Sequence, residues 1–377
     1  MSGAIRRMLA VAVLSLIPAQ AFAVEFAVVG PRAAGMGGAG VAVTTDALAT
    51  YWNPAGLAMT QTVDIRIQGT AQGIDRLGIA DTLKDLEDFN TSDLTPANQA
   101  RAQDIANRIN RPGATLSAIG AAGLYVKGHL GEHAFGFSVA DVATSGGFLS
   151  TPLQVTNAGG QVSVAGQMAL RGLEARQATF SYAYAFADKT FAIGITGKLI
   201  QGAAYSGTMP LQAGVDVQLS DNFGRANIAT TYGIDVGAIY RPASWLRLGV
   251  VAKDLNQPEF DAPDGTKYKL NPQVRGGIAV NPYSTLTLTA DMDVTSNRTL
   301  VPGLKSQNIS LGAEQTVLSE FLSLRVGAFK NVQDAASAFT PTAGIGLRMY
   351  ALRVDLGGGY DFRERGALAS GSISLTF

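Results

Sequence analysis

Strict two-residue alternation is the most persistent pattern in this sequence, and it leaves few folds open. In "ATFSYAYAF" the residues Phe180, Tyr182, Tyr184 and Phe186 alternate with Ser181, Ala183 and Ala185, and "SLRVGAF" repeats the pattern with Leu324, Val326 and Ala328 around Arg325 and Gly327. Successive strand side chains point to opposite faces, so a period of two marks a strand with two unlike sides. Segments of this kind recur at roughly 61–70, 115–127, 132–143, 176–187, 189–201, 229–240, 244–255, 272–281, 284–295, 306–316, 320–330, 340–349, 351–361 and 368–377. That is about fourteen, each near the ~9–11 residues of a tilted membrane-spanning strand.

The gaps carry a second pattern. Short connections such as "GHLG", "RPA", "PY" and "VLS" alternate with longer ones, the largest at about 71–114, 144–175, 202–228 and 256–271. Outer-membrane barrels have an even strand number, short periplasmic turns and longer external loops. If the last strand ends in the periplasm, every long gap falls outside and every short one inside, a parity that a water-soluble sandwich has no reason to keep. The expected fold is therefore all-β, a transmembrane antiparallel β-barrel of about fourteen strands over residues 61–377.

One strand face is apolar and the other is not. The second face carries Asp64, Arg66, Lys198, Asp235, Arg247, Arg275, Asp291, Asp293, Glu314, Arg325, Arg348, Arg353 and Asp355, which cannot face lipid cheaply and are expected in the lumen. Their nearly balanced signs suit pairing with each other and with a plug better than a charge-selective open pore. The last segment, "SGSISLTF", puts Ile373, Leu375 and Phe377 on one face; an apolar terminal strand ending in an aromatic resembles the signal read by the barrel-assembly machinery.

The N-terminus, "MSGAIRRMLAVAVLSLIPAQAFA", has Arg6 and Arg7, an apolar run from Met8 to Ile17 and a small-residue cleavage pattern at Ala21 to Ala23. This predicts a secretory signal peptide over residues 1–23 and export to the outer membrane of a Gram-negative cell. There is no cysteine, so disulfides, thiolate metal sites and thiol catalysis are all excluded. Net charge is zero, which argues against nucleic acid as a partner. Charged residues make up only 15% of the chain where about 25% is usual, so an exported chain of this composition has apolar surface to place, and outer-membrane lipid is the expected partner.

Residues 35–40, "GMGGAG", match G-x-G-x-x-G. A dinucleotide cradle needs a helix opening on the last glycine and an acidic residue about 20 positions later; here Val41 and Val43 follow, and the first cap-like residues are Thr44, Thr45 and Asp46. Small residues also suit backbones that pack closely against something else. The longer stretch "GPRAAGMGGAGVAVTTDALATYWNPAGLA" resembles the start of FadL-type outer-membrane proteins, which include channels for long-chain fatty acids and aromatic hydrocarbons. Within them it is most similar to the branch labelled conjugal-transfer TraF-type and to barrels serving secretion systems. The thioredoxin-like periplasmic protein that shares that label would need cysteines and an α/β pattern, and this chain has neither.

The resemblance implies that residues 24–60 fold back into the lumen as a hatch, with its Asn-Pro-Ala motif at Asn53, Pro54 and Ala55. A segment threading a lined lumen needs small residues, which Gly35, Gly37, Gly38 and Gly40 supply, with Ala33, Ala34 and Ala39. Thr45 or Asp46 is expected to cap a short helix "DALATYW" that Pro54 ends. The plain alternative is a flexible leader following the signal peptide.

Other motifs lead nowhere chemical. "HLGEH", His129 to His133, matches H-x-x-E-H, but Gly128 and Gly131 bracket an expected turn, whereas zinc needs both histidines on one helix face. No G-x-S-x-G elbow is present. No catalytic residue, metal or cofactor is expected. The pieces "DTLKDLEDF" and "ANQARAQDIANRIN" space Leu83, Leu86, Phe89 and then Ile105, Ile109 at helical intervals. They would either cover an external groove that captures a lipid-like ligand or simply pack over the barrel mouth. Two functions remain open: passive uptake of small hydrophobic molecules, or a non-transporting barrel that docks a conjugation, secretion or surface-attachment protein.

Overall fold

Hydrocarbon offers no partner to a free backbone N–H or C=O, so a sheet in lipid has to close on itself. The computed structural model, which describes residues 25–218, 222–335 and 337–377, is a closed antiparallel barrel in which the first strand pairs with the last. The expected signal peptide lies outside the described residues. The wall runs through β1 (Asp64–Arg76), β2 (Thr115–Leu130), β3 (His133–Ala158), β4 (Gln161–Phe186), β5 (Phe191–Gln212), β6 (Asn227–Ala243) and β7 (Leu246–Lys253). It continues through β10 (Gln273–Tyr283), β11 (Leu286–Asp293), β14 (Asn308–Val317), β15 (Leu322–Asn331), β16 (Thr340–Met349), β17 (Leu352–Asp361) and β18 (Gly366–Thr376). The remaining strands form two small ribbons in long loops, β8 (Glu259–Asp261) with β9 (Lys267–Lys269) and β12 (Asn297–Arg298) with β13 (Lys305–Ser306). Each of the fourteen expected segments overlaps one wall strand.

Closure is made at the last residue. Val63 N–H donates to Phe377 O at 3.0 Å and Phe377 N–H returns a bond to Val63 O at 2.9 Å. Burial then follows the pleat: Ile67 is 64% exposed while its neighbours Arg66 and Gln68 are 3% and 2%. Ile193, Ile195, Leu199, Leu311, Val326, Ile373 and Leu375 continue the outward apolar belt. At the short-turn end Tyr184, Phe186, Phe191, Tyr240, Trp245 and Phe321 form an outward aromatic girdle, the arrangement interfacial rings adopt in barrels. Among the described residues no helix is long and apolar enough to cross a membrane.

The expected loop at 144–175 is a correction. β3 and β4 are each 26 residues long and meet at Gly159 and Gly160, both with positive φ, which a two-residue hairpin turn demands. The alternation there had no lipid-like outer face and read as loop; its apolar residues Val162, Val164, Met168 and Leu170 point instead to an inner face covered by helices Ile79–Glu87 and Pro96–Ile109. For the same reason β5 extends to Gln212, shortening the expected gap at 202–228. The two helices bury Leu83, Leu86, Phe89, Ile105 and Ile109 against this extended sheet. Thr95 caps the second, accepting Asn98 N–H at 3.4 Å, with Pro96 in the first turn.

Placing a charge in the belt should be costly where the same charge higher up is not. Ile195→Arg is expected to lose roughly 2–4 kcal/mol of stability, measured by reversible urea unfolding from lipid vesicles. Gln167→Arg, on the outer face of the β3–β4 extension, should stay within about 0.5 kcal/mol of the parent.

Candidate functional site

From Phe26 to Met59 nearly every residue is buried, and the wall strands do the burying. Helix Pro31–Gly35 lies against β15 to β18, while the 3-10 turn Pro54–Met59 lies against β3 to β6 on the other side. The segment has a small core of its own: Phe26, Tyr51 and Trp52 meet at ring separations of 5.4–5.8 Å. Tyr51 Oη and Trp52 Nε1 each donate at 2.8 Å to the carbonyls of Ala27 and Val29. Lys253 Nζ stands 3.3 Å from the Tyr51 ring centroid and Arg275 4.0 Å from that of Phe26, so wall cations cap this aromatic core.

The glycine run is explained by contact. Gly37 and Gly38 adopt φ of 66° and 80°, which favour glycine, and a Cβ on Gly40 would sit 2.3 Å from the Trp52 ring. Gly35 backs onto Gly344 of β16, where a Cβ would lie 2.9 Å from that residue's Cα. GMGGAG therefore packs against the wall, and no helix begins on it. Sequence reasoning missed the other half of this fit. Gly194, Gly237, Gly312, Gly327 and Gly357 lie on the inward faces of their strands where the segment's backbone passes; a Cβ on Gly237 would stand 2.0 Å from Asn53 Oδ1 and one on Gly357 2.2 Å from Pro31 O. Their inward parity was readable, but what they faced was not.

Asn53 is fully buried and saturates its amide: Nδ2 points to the carbonyls of Val41, Ala238 and Val250 at 3.2–3.3 Å, and Oδ1 accepts Ala55 N–H at 3.2 Å. Pro54 and Ala55 press on Gly194. The expected cap at Asp46 is corrected: the helix runs only over Ala49–Trp52 and has no side-chain cap. Asp46 instead accepts Leu48 N–H at 3.0 Å and pairs with Arg66 at 3.1 Å, because that buried guanidinium needs counter-charge.

The lumen charges sort into connected sets. Glu314 takes both Arg32 (2.6 Å) and Arg325 (2.7 Å); Arg325 continues to Asp355 (2.8 Å), and Asp355 takes Arg353 (2.8 Å). Arg66 links Asp355 to Asp64 and Asp46. Burial works against the Arg32 cation, yet Glu314 holds it above the ordinary arginine range. Asp291 accepts the N–H groups of Gly40 (2.7 Å) and Val41 (2.8 Å). Arg275 is held by Asp293 at 2.6 Å, and Lys198 by Asp235 at 2.7 Å and Asp254 at 2.5 Å. Lys127, also missed, reaches from β2 to Thr45 O (2.7 Å) and Thr60 O (2.9 Å). Two further expected lumen residues lie outside these sets. Arg348 is exposed at the rim, the next-to-last residue of its strand, and pairs with Glu320 of the β14–β15 turn at 2.9 Å. Arg247 is half-buried and in none of them, donating to Asn281 Oδ1 at 3.4 Å. Ile373, Leu375 and Phe377 all project outward and exposed.

A cavity lies on either side of this segment. At the short-turn end a polar vestibule of about 360 Å³ is bounded by Arg32, Asp46, Arg66, Arg348 and Arg353. At the long-loop end the β8–β9 and β12–β13 loops form a roof, burying Phe260, Tyr268, Leu270 and Leu300 against Leu173, Ala175 and Ile200. Between roof and segment lies a chamber of about 120 Å³. His129 and His133 end one strand and begin the next, in register with Ala134 and Leu130, and the pleat sends them to opposite faces of the hairpin. Among the described residues no group of three or more His, Asp or Glu is placed to hold a metal.

A family model described as "F plasmid transfer operon, TraF, protein" matches residues 50–293. No curated protein matches the sequence. Among solved structures, the toluene transporter TbuX of Ralstonia pickettii has a TM-score of 0.54 at 15% identity, covering 92% of this chain and 97% of its own. The toluene transporter TodX of Pseudomonas putida gives 0.53 at 12%, covering 95% and 99%. The monoaromatic hydrocarbon channel CymD gives 0.53 at 12%, covering 94% and 98%. At this identity the likeness is one of fold, and it bears out the FadL-type resemblance at that level.

Filling a wall glycine should dislodge the segment without breaking the sheet. Gly237→Val is expected to raise labelling of a single cysteine placed at Ala55 by a water-soluble maleimide at least about tenfold. Heat-dependent gel mobility should report an intact barrel, and unchanged labelling would mean that the wall and the segment are not complementary.

Proposed function

Because the chain belongs to the family described as the F plasmid transfer operon TraF protein, we propose that it is a FadL-like outer-membrane barrel. In this reading small hydrophobic molecules cross it passively, with residues 24–60 as the hatch and the rest of the described chain as the wall. One observation carries it: the lumen is filled by a single continuous segment joined to the wall by side-chain bonds and close packing rather than by strand pairing, with a cavity on either side. Such a segment can shift as a unit when those few contacts are exchanged, while the sheet's own hydrogen bonds stay intact. Asn53, Asp291 and the Arg32–Glu314 pair are the contacts whose release opens a path. The barrel charges Asp235, Arg275, Arg325, Arg353 and Asp355 keep the lumen wall compatible with the segment's polar backbone. Ile373, Leu375 and Phe377 serve assembly into the membrane.

A deletion strain is expected to take up labelled toluene or oleate several-fold more slowly than its parent at low concentration. A plasmid carrying the wild type should restore the rate, and an Asn53→Ala variant that still assembles should restore it only partly. Unchanged uptake of every hydrophobic compound in the deletion strain overturns the reading.

A second reading has its own support. The apolar faces of the two loop helices are closed against the β3–β5 extension and offer no open groove, which suits a barrel that docks a conjugation or secretion protein rather than one that captures a ligand. Photocrosslinkers at Arg101 and Gln161, both exposed on the loop side, should then capture one protein in cells. Capture of none would remove that reading.

A further inference from the structure

The chamber under the roof has a mixed lining of polar and apolar side chains. On β1, β2 and β3 the inward side chains Gln72, Thr115, Ser117 and Thr144 face it, and none of them has a hydrogen-bond partner among the described residues. Thr115 is 5% and Thr144 9% exposed, so these hydroxyls are buried against the cavity rather than displayed to solvent. Across from them stand Leu300 and Val301 of the roof, Phe329 of β15, and Phe26 of the N-terminal segment. Charges of both signs stand at its edge, Arg76, Arg275 and Lys305 against Glu25, Asp334, Asp361 and Glu364, with Arg76 paired to Asp334 at 2.5 Å and Arg275 to Asp293 at 2.6 Å, so neither sign of ion is favoured over a neutral occupant. A cavity of about 120 Å³ is on the scale of the roughly 150 Å³ that accepts a single benzene ring.

We infer that this chamber is a binding site for one small neutral amphiphile, a single ring or short chain bearing a hydroxyl or carbonyl, and that it selects against pure hydrocarbons of the same size. The physical reason is desolvation. A hydrocarbon that enters evicts water from four polar side chains and replaces none of its hydrogen bonds, whereas a hydroxylated analogue replaces them and still packs its apolar side on Leu300, Val301 and Phe329. The inference rests on the passage reading, since a ligand reaches the chamber only from the loop side or past the segment, and it narrows the substrate class of that reading.

Benzyl alcohol and toluene are the probes, because they share a ring and differ in the hydroxyl. Each is titrated calorimetrically into the full-length protein in detergent micelles. The Ser117→Trp variant, whose indole fills the chamber, supplies the reference for partitioning into detergent. Benzyl alcohol is expected to bind the wild type roughly tenfold tighter than toluene, the equivalent of one well-made hydrogen bond. Thr144→Val and Ser117→Ala, each an independent removal of a hydroxyl, should erase most of that difference while leaving toluene unweakened. Toluene binding as tightly as benzyl alcohol, or tighter, overturns the selection and leaves hydrocarbon passage standing. Heat signals identical to the Ser117→Trp reference for both probes overturn the chamber as a site, while passage is still judged separately by uptake in the deletion strain.

Discussion

Everything in this molecule depends on the closing of β1 onto β18. The backbone bonds between Val63 and Phe377 complete a ring of paired strands that leaves no sheet edge in hydrocarbon. Once the ring is closed, the pleat allots each residue to lipid or lumen with no intermediate choice, and the two populations diverge as they do at Ile67 and Arg66. A barrel of this size encloses more space than its own side chains fill. The unfilled space is lined with charge, and that sets the second problem the fold has to solve.

The N-terminal segment solves it. A buried carboxylate such as Asp291 is costly unless bonded, and here it is capped by two backbone N–H groups of the segment. Glu314 is shared between a wall arginine and Arg32 of the segment, so removing the segment would leave the wall's own charges less well matched. The reverse also holds: the segment has little regular structure, and its free carbonyls at Thr45 and Thr60 are met by Lys127 of the wall. Glycines on both partners bring backbone to within van der Waals distance of backbone, so the fit is one of shape as well as of charge.

Above this, the long-loop end is built as a second layer. β3, β4 and β5 continue past their neighbours into a sheet whose inner face holds the loop helices, and the two ribbons complete a roof. The lumen is thus divided into a polar vestibule, a tightly packed middle and a mixed chamber, and the chamber sets polar side chains without partners among the described residues beside apolar ones.

The sequence by itself determined the wall. Lipid on one side and a polar lumen on the other impose period two, so Phe180 to Phe186 and Leu324 to Val326 announced both strand and face, and strand order followed from chain order. It also determined which charges turn inward at Asp235, Arg275, Asp291, Glu314, Arg325 and Asp355, since lipid excludes them. It misread 144–175, because above the membrane the outer face no longer has to be apolar and the alternation loses its contrast. Only the tertiary structure decided what meets across the lumen: Asn53 with the carbonyls of Ala238 and Val250, Arg32 with Glu314, Pro31 with Gly357. Those partners are separated by 185 to 326 positions in the chain, and no local period encodes a contact that depends on how a closed ring curves around what lies inside it.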